Sequence, residues 1–375
     1  MEHHPIVIVG AGLGGLTAAR VLHHHGVPAV VYDRDPGPGT TRRGVLDLHP
    51  DTGQAALRAA GLERDLAVIT SAGGGALRIL DREGTLHHEQ HAGALPDRPE
   101  VDRRALRALL VDSLPAGTVR WGAEVTGARP VGDGRHELSI AGAPPVTSGV
   151  LIGADGGRSA VRPLVSPAVP AAAGLTYVEM TLFDAEARHP QAAAVVGDGL
   201  MLALGDGQGL IGHRDPDGSL QVYAVVTADV QWAPVDLRAE LLDRFGGWHP
   251  GLRSVIADAG GPLVARPIHA LPPGHRWTRT PGVTLLGDAA HLTAPFACDG
   301  ANHAMLDGAE LAAALVGHGS DREAALGAYE DLLFPRTAAV AAEAAAALAV
   351  CFRQDAPRGL VDLLTASAQL ATVDG

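Results

Sequence analysis

The amino-acid sequence predicts an α/β protein. A domain of buried strands and helices is interrupted by an antiparallel sheet and followed by C-terminal helices. Three observations carry this reading. Residues 6–15, Ile-Val-Ile-Val-Gly-Ala-Gly-Leu-Gly-Gly, join a short apolar run to a glycine turn, and the helix-like stretch Leu16 to His25 follows. A strand-and-turn pattern returns at Gly149 to Arg162 and again at Val283 to His291. Between these returns, from about Leu164 to Pro272, apolar and polar residues alternate as in a half-buried antiparallel sheet. The chain therefore reads as a discontinuous, Rossmann-like nucleotide-binding domain (residues 1–163 and 273–335), an inserted sheet domain (164–272) and a C-terminal helical segment (336–375).

The first unit has a physical reason at each step. Ile6 to Val9 is apolar throughout, as in a buried parallel strand. Gly10, Gly12 and Gly15 then stand at the G-x-G-x-x-G spacing. Gly10 permits the tight turn, Gly12 lets the backbone approach a pyrophosphate, and Gly15 lets the helix pack close to the strand. The helix N-terminus offers free N–H groups and a positive dipole end to phosphates. A second strand, Ala29 to Tyr32, ends at Asp33, where an acid accepts hydrogen bonds from a ribose. A glycine triplet alone is a weak signal. Strand, glycines, helix, strand and terminal acid in one unit are a much stronger one for dinucleotide binding. The motif by itself does not separate FAD from NAD.

Composition sets bounds. A chain of 375 residues is long enough for two domains, and 46% hydrophobic with 19% charged residues suits a soluble globular protein. A formal net charge of −13 argues against a nucleic-acid partner. Lysine is absent, so all 29 basic residues are arginine and arginine abundance alone says little. Two cysteines, Cys298 and Cys351, allow one bridge at most and exclude a disulfide framework. The histidine clusters make no zinc pattern, so no metal is expected. The first strand starts too early for a signal peptide, and the cytoplasm is the default location. The apolar stretch Thr337 to Phe352 contains Glu343 and is shorter than a spanning helix needs, so no membrane span is expected.

Further along, Gly53 to Ala60 reads as a helix stopped by Gly61. Ala76 to Leu80 and Thr85 to His88 flank Asp81-Arg82-Glu83-Gly84, a hairpin signal. Asp102 caps a helix that runs to Ser113 and places Arg103 and Arg107 on one face. Val119 to Val125 and His136 to Ile140 read as strands. In the inserted domain the strands are Leu175 to Phe183, Met201 to Leu204 and Leu220 to Val226, with a helix from Val235 to Phe245. Strand Val283 to Leu286 ends in Gly287-Asp288-Ala289-Ala290-His291, and a helix runs through Leu315.

Three motifs now stand together: the glycine turn at Gly10 to Gly15, Gly153-Ala154-Asp155-Gly156 with Ser159 and Arg162, and Gly287-Asp288-Ala289-Ala290-His291. In these, over essentially its whole length, the chain resembles the FAD-dependent aromatic hydroxylases of the para-hydroxybenzoate hydroxylase class, the class A flavin monooxygenases. Within that class Leu46-Asp47-Leu48-His49, the Arg103 to Arg107 helix start and the compact length resemble the tetracycline-inactivating flavin monooxygenases most. The resemblance implies a para-hydroxybenzoate hydroxylase type of FAD-binding domain with an inserted substrate sheet. It implies that Asp33 holds the adenosine ribose, that Arg34 and Asp47 lie near the cofactor, and that Arg103 and Arg107 face the pyrophosphate, which a planar guanidinium fork suits. It assigns Asp288 to ribityl or ribose hydroxyls, and Asp155 with Gly156 to FAD and NAD(P)H handling. The loop from Pro295 and the helix start Gly300-Ala301-Asn302 are implied to lie against the flavin ring, where N–H groups stabilise negative charge.

The sequence departs from the family at Cys298, where glycine is common, and at Asp299, where glutamine is common. Asp299 either contacts substrate, opposes the flavin anion or points to solvent. Tetracycline contacts do not carry over: Glu179, Gly199 and Gln221 align where relatives carry other polar residues. Glu179, Gln221, Pro295 and Asp299 are the substrate-site candidates. The implied activity is hydroxylation of an electron-rich aromatic or enol molecule, polycyclic or antibiotic-like. Its implied requirements are FAD, NADPH or NADH, and O2, with oxygen delivered from a flavin C4a-hydroperoxide. The implied assembly is a monomer or homodimer. A flavin reductase and a ligand-sequestering flavoprotein without turnover remain open. A lysine-dependent flavin halogenase does not fit a chain without lysine.

Overall fold

The computed structural model describes residues 2–39, 43–71, 75–91, 93, 97–227, 236–296 and 300–373. In chain order its elements begin with β1 (Glu2–Val9), α1 (Leu13–His24), β2 (Val30–Tyr32), β3 (Val45–Asp47), α2 (Gly53–Ala59), α3 (Glu63–Ile69) and β4 (Thr70–Ser71). They continue with β5 (Leu77–Asp81), β6 (Leu86–Gln90), β7 (Glu100–Asp102), α4 (Arg103–Asp112), β8 (Val119–Arg120), β9 (Val125–Gly132), β10 (Arg135–Ile140) and β11 (Ala143–Gly153). Next come β12 (Ala171–Leu182), α5 (Ala185–Arg188), α6 (Pro190–Val196), β13 (Leu200–Gly205), β14 (Gln208–Arg214), β15 (Leu220–Thr227), α7 (Leu237–Arg244) and α8 (Pro250–Ala257). Last are β16 (Gly260–Ala270), β17 (Val283–Leu285), α9 (Asp288–His291), α10 (Gly300–Gly317), α11 (Arg322–Cys351) and α12 (Arg358–Val373).

The chain divides into two compact units. One comprises Met1–Thr70, Val101–Ala171 and His269–Ala344; the other comprises Ser71–Glu100, Ala172–Ile268 and Ala345–Gly375.

In the first unit, β8, β2, β1, β11 and β17 lie side by side, and each neighbouring pair is parallel. The first half of the long strand β11 also pairs antiparallel with β10, which continues to β9. The near-continuous apolar runs follow from burial on both faces: Val7, Ile8, Leu151 and Ile152 are fully buried. Helix α1 packs on this sheet through Leu16 and Leu22 and lies against α10. That approach is close because glycine stands on both sides. A Cβ at Gly14 would lie 2.4 Å from the Ala304 carbonyl oxygen, and one at Gly308 would lie 2.3 Å from that of Gly14. Asp102 caps α4 as its position predicts, accepting from the N–H of Arg104 at 2.7 Å and of Ala105 at 3.1 Å.

In the second unit the strand order is β16-β12-β15-β14-β13-β5-β6. Val178, Met180 and Leu182 of β12 and Val222, Ala224 and Val226 of β15 turn one face into a core shared with Phe245, Leu252 and Val255 of the helical segments. The alternate residues, including Tyr177, Glu179, Gln221 and Tyr223, occupy the other face.

Four sequence readings differ from this. Val119 to Val125, read as one strand, is the short β8 and only the first residue of β9. The hairpin β5–β6 belongs to the second unit, whereas the sequence places residues 71–100 in the first. The cause is the parallel pairing of β5 with β13, Leu77 opposite Leu200, a non-local contact that chain order does not reveal. Strands β14 and β16 are not singled out in the sequence, since glycines dilute the alternation in Gln-Gly-Leu-Ile-Gly-His-Arg. The stretch Thr337 to Phe352 is the second half of a 30-residue helix that continues through Pro335. Pro335 and Asp331 are exposed, so water can satisfy the carbonyl that proline leaves without a donor. By length and composition alone α11 is long and apolar enough to cross a membrane, which as a single case is weak evidence. The start of the helix expected at Val235 lies outside the described residues, and α7 follows at Leu237.

Candidate functional site

The five parallel strands place β2 and β8 on one side of β1 and β11 and β17 on the other. The chain leaves β1 in one direction and returns on the opposite side, which makes a topological switch point, the edge where open α/β sheets bind ligands. The turns after β1, β11 and β17 all lie at the carboxyl end of these strands and are stitched together. Gly10 N–H donates to Tyr32 O at 2.8 Å, Ala154 N–H to Val9 O at 2.8 Å, and Leu286 N–H to Gly153 O at 2.9 Å. Gly10 has φ +109°, and a Cβ there would sit 2.3 Å from the Ala154 carbonyl oxygen. A Cβ at Gly15 would sit 2.1 Å from Gly10 O. Glycine is required at both positions by the protein itself. Gly12 is different, because a Cβ there meets nothing within 4 Å. It is the N-cap of α1 and supplies no side-chain cap, so no side chain of Gly12 takes up the N–H groups that a first helical turn leaves without an intrahelical partner.

Asp33 braces this turn. Its carboxylate accepts the N–H of Ala11 and, at 2.7 Å, that of Asp35. Arg107, 4% exposed, reinforces it from below. Its Nε donates to Ala11 O, and its two terminal nitrogens donate to Pro38 O and to Asp35, each at 3.0 Å. The guanidinium also lies 5.1 Å over the Trp121 ring. Where the resemblance puts Arg107 at the pyrophosphate, the structure directs these donors onto the loop that shapes the phosphate turn. Arg103, one helical turn earlier, is half-buried, and its N–H donates to Gly44 O at 3.0 Å. Arg34 is exposed.

The turn after β11 is held by its own side chains. Asp155 accepts the Ala160 N–H at 2.7 Å, and Ser159 accepts those of Val161 and Arg162. Oδ1 of Asp155 is buried without a hydrogen-bond partner among the described residues. Burial raises the Asp155 pKa, opposed by the Ser159 and Ala160 donors. Arg162 bridges this turn to the next, donating to Gly157 O at 2.6 Å and to Ala289 O at 2.8 Å. Asp288 stands exposed between buried Gly287 and buried Ala289.

Asn302, 1% exposed, clamps the start of α10 to the strand β3 segment. Its Nδ2 donates to Asp47 O at 2.9 Å, and its Oδ1 accepts the His49 N–H at 3.1 Å. The Asp47 carboxylate meets His49 Nε2 at 2.9 Å. A Cβ at Gly53 would fall 2.2 Å from Asn302 Oδ1. Thus Asp47 and Asn302, distant in sequence, come together, with Gly300 exposed and Ala301 packed on the core beside them. Pro295 is exposed. Asp299 and Cys298 lie outside the described residues.

In the second unit Glu179 and Gln221 are neighbours. Thr181 Oγ1 donates to Gln221 Oε1 at 3.0 Å, Gln221 Nε2 to Glu179 Oε1 at 3.5 Å, and Arg266 Nε to Glu179 Oε2 at 2.5 Å. The Tyr177 and Tyr223 rings lie 5.5 Å apart on the same face. Gly199 cannot carry a side chain, since a Cβ would lie 2.5 Å from Ala76.

Sequence reasoning missed Arg266 and the buried acid Asp307, which accepts the Gly287 N–H at 2.8 Å. No short motif marks either one. Arg266 sits on an unrecognised strand, and Asp307 lies mid-helix.

These features fit a flavin dinucleotide. The uncapped α1 terminus, the open space over Gly12, the orphaned Asp155 oxygen and the exposed Asp288 share one edge. Residues 3–240 and 252–344 match the family described as FAD binding domain. The chain belongs to this family, the class A flavin monooxygenases. This flavin monooxygenase is 30% identical to the phenazine 1,6-dicarboxylic acid hydroxylase PhzS of Lysobacter antibioticus, over 89% of this chain and 88% of that protein. It is similar to the solved structure of a variant of Klebsiella pneumoniae HpxO complexed with FAD, with TM-score 0.78 and 25% identity over 95% of this chain and 91% of that chain. Tetracycline destructase Tet(51) shares the fold, with TM-score 0.72 and 18% identity over 96% of this chain and 94% of that chain. The flavin monooxygenase is thus an FAD-dependent oxidoreductase.

Proposed function

We propose that this enzyme hydroxylates an electron-rich aromatic or enol small molecule, of polycyclic natural-product or antibiotic-like type, using NADPH or NADH as reductant. The observation that carries the reading is the convergence of three turns and the uncapped α1 terminus on one edge of a parallel sheet. FAD bound there supplies the redox chemistry with O2. The residues of the chain bind and orient. The α1 N–H groups take the pyrophosphate charge, and Asp288 accepts from cofactor hydroxyls. The Asn302 clamp fixes the first turn of α10. On the second sheet, the Tyr177–Tyr223 pair offers an apolar platform, and Glu179, Gln221 and Arg266 offer polar partners for a phenol or enol. The name of PhzS, a hydroxylase of a polycyclic aromatic acid, supports this substrate class.

The test is the visible spectrum of the purified enzyme, followed by NADPH oxidation and oxygen uptake with a panel of polycyclic phenols. Bound flavin, oxidation accelerated by one compound and a product heavier by one oxygen atom are expected. NADPH consumption with a reduced product and no incorporated oxygen would replace this reading with a reductase. Bound flavin that NADPH leaves oxidised with every compound would favour a sequestering flavoprotein.

A further inference from the structure

Asp307 is wholly buried on α10. A buried carboxylate is costly unless donors surround it, and here three converge. Oδ2 accepts the Gly287 N–H at 2.8 Å and meets His291 Nε2 at 2.6 Å, while Oδ1 accepts from Arg336 at 2.9 Å. Arg336 in turn pairs with Glu310 at 2.6 Å. The two groups on Oδ2 bracket Asp288: Gly287 precedes it, and His291 ends the same short helix. Gly287 has φ +57° and ψ −144°, a conformation that glycine adopts without strain but does not itself select. The bond from its N–H to Asp307 therefore selects the direction of the turn. On the far side Arg162 holds Ala289 O at 2.8 Å. Every residue from Gly287 to Ala290 is tied down or buried except Asp288.

We infer that Asp307 is the positioning residue of the cofactor edge: through Gly287 and His291 it sets the direction in which Asp288 presents its carboxylate to FAD. Asp307 has no surface from which to touch a ligand, so its effect reaches the cofactor only through the turn. The inference rests on FAD as the ligand of this edge. Asparagine cannot take over the role. Placing its amide oxygen toward Gly287 and His291 aims its NH2 at Arg336, and the reverse orientation aims the NH2 at the two donors that Oδ2 now accepts.

The test is a double-mutant cycle on FAD affinity, read by quenching of flavin fluorescence on adding FAD to cofactor-stripped full-length protein. The proteins are wild type, Asp288→Asn, Asp307→Asn and the double variant. Each single change is expected to weaken FAD binding about tenfold, and the double change no more than the weaker single, because both act through one group. Losses that multiply in the double variant overturn the inference, as does unchanged affinity in either single variant. If Asp307→Asn fails to give a cooperative thermal transition, His291→Gln takes its place in the cycle with the same two readings. A wild-type protein that does not bind FAD would overturn the cofactor reading as well, a result distinct from additivity.

Discussion

Arg162 Nε donates to the carbonyl oxygen of Ala289 at 2.8 Å, and its terminal nitrogen donates to that of Gly157 at 2.6 Å. One guanidinium, 4% exposed, thereby ties two of the three turns of the cofactor edge. Lysine cannot reproduce this, since a single ammonium does not present donors in two fixed directions. Arg162→Lys should destabilise the protein by about 2–3 kcal/mol, the range for losing a buried charge-assisted pair of bonds. In urea the unfolding midpoint should fall with the slope unchanged. An unmoved midpoint would show that the two turns hold their places without this strap.

The glycines of the first turn separate into two kinds. Gly10 and Gly15 are required by the fold, since an added Cβ would strike backbone at 2.3 and 2.1 Å. Gly12 meets nothing within 4 Å and has an ordinary extended φ of −73°. Gly12→Ala should leave the melting temperature of the apoprotein unchanged or slightly raised. Under the proposed function FAD affinity should fall by about tenfold or more, because the methyl group would occupy the approach path of the pyrophosphate. Isothermal titration with FAD and a thermal melt of the same sample decide this. Equal affinity for wild type and variant would mean that the pyrophosphate does not pass over Gly12.

The local motifs were legible because their physics is local. The Gly10 to Gly15 turn, the Asp102 cap and the strand-to-Asp288 turn each specify a backbone shape within a few residues. What the sequence hides is pairing across distance. Asn302 reads as part of a helix start against the flavin ring; the bonds of its side-chain amide to the backbone of residues 47 and 49 are a pairing that the sequence does not show. Arg107 reads as facing the pyrophosphate region; that its three guanidinium nitrogens also grip Ala11, Pro38 and Asp35 is not visible in the sequence. A motif gives the residue type and its neighbourhood. Whether the side chain turns toward the ligand or braces the loop behind it depends on tertiary contacts that periodicity does not encode.

His291 gives the edge a pH signature. Burial alone would lower its pKa, but the Asp307 carboxylate outweighs this and the net shift is upward from 6.5. A histidine whose folded pKa is raised contributes stability that is fully present below its unfolded value and is lost as pH rises through the folded value. His291→Gln removes that contribution. The stability gap between wild type and His291→Gln should be widest below about pH 6.5 and narrow as pH rises above it. Urea denaturation of both proteins across this range measures the gap. A gap independent of pH would mean that His291 serves as a neutral hydrogen-bond donor at every pH tested.

On the second sheet, Gln221 is 3% exposed and links Thr181 to Glu179, whose other oxygen holds Arg266. Under the proposed function this chain of polar groups orients the substrate, and it lies in a different unit from the three cofactor turns. Gln221→Leu keeps the bulk, leaves Thr181 without its acceptor and frees Glu179 to shift on Arg266. Its effect should fall on kcat/KM for the accelerating compound, by about tenfold or more. FAD affinity should stay at the wild-type value. Parallel loss of FAD affinity and kcat/KM would assign Gln221 to the fold. Unchanged kcat/KM with every accelerating compound would move the substrate contacts off this face of the sheet.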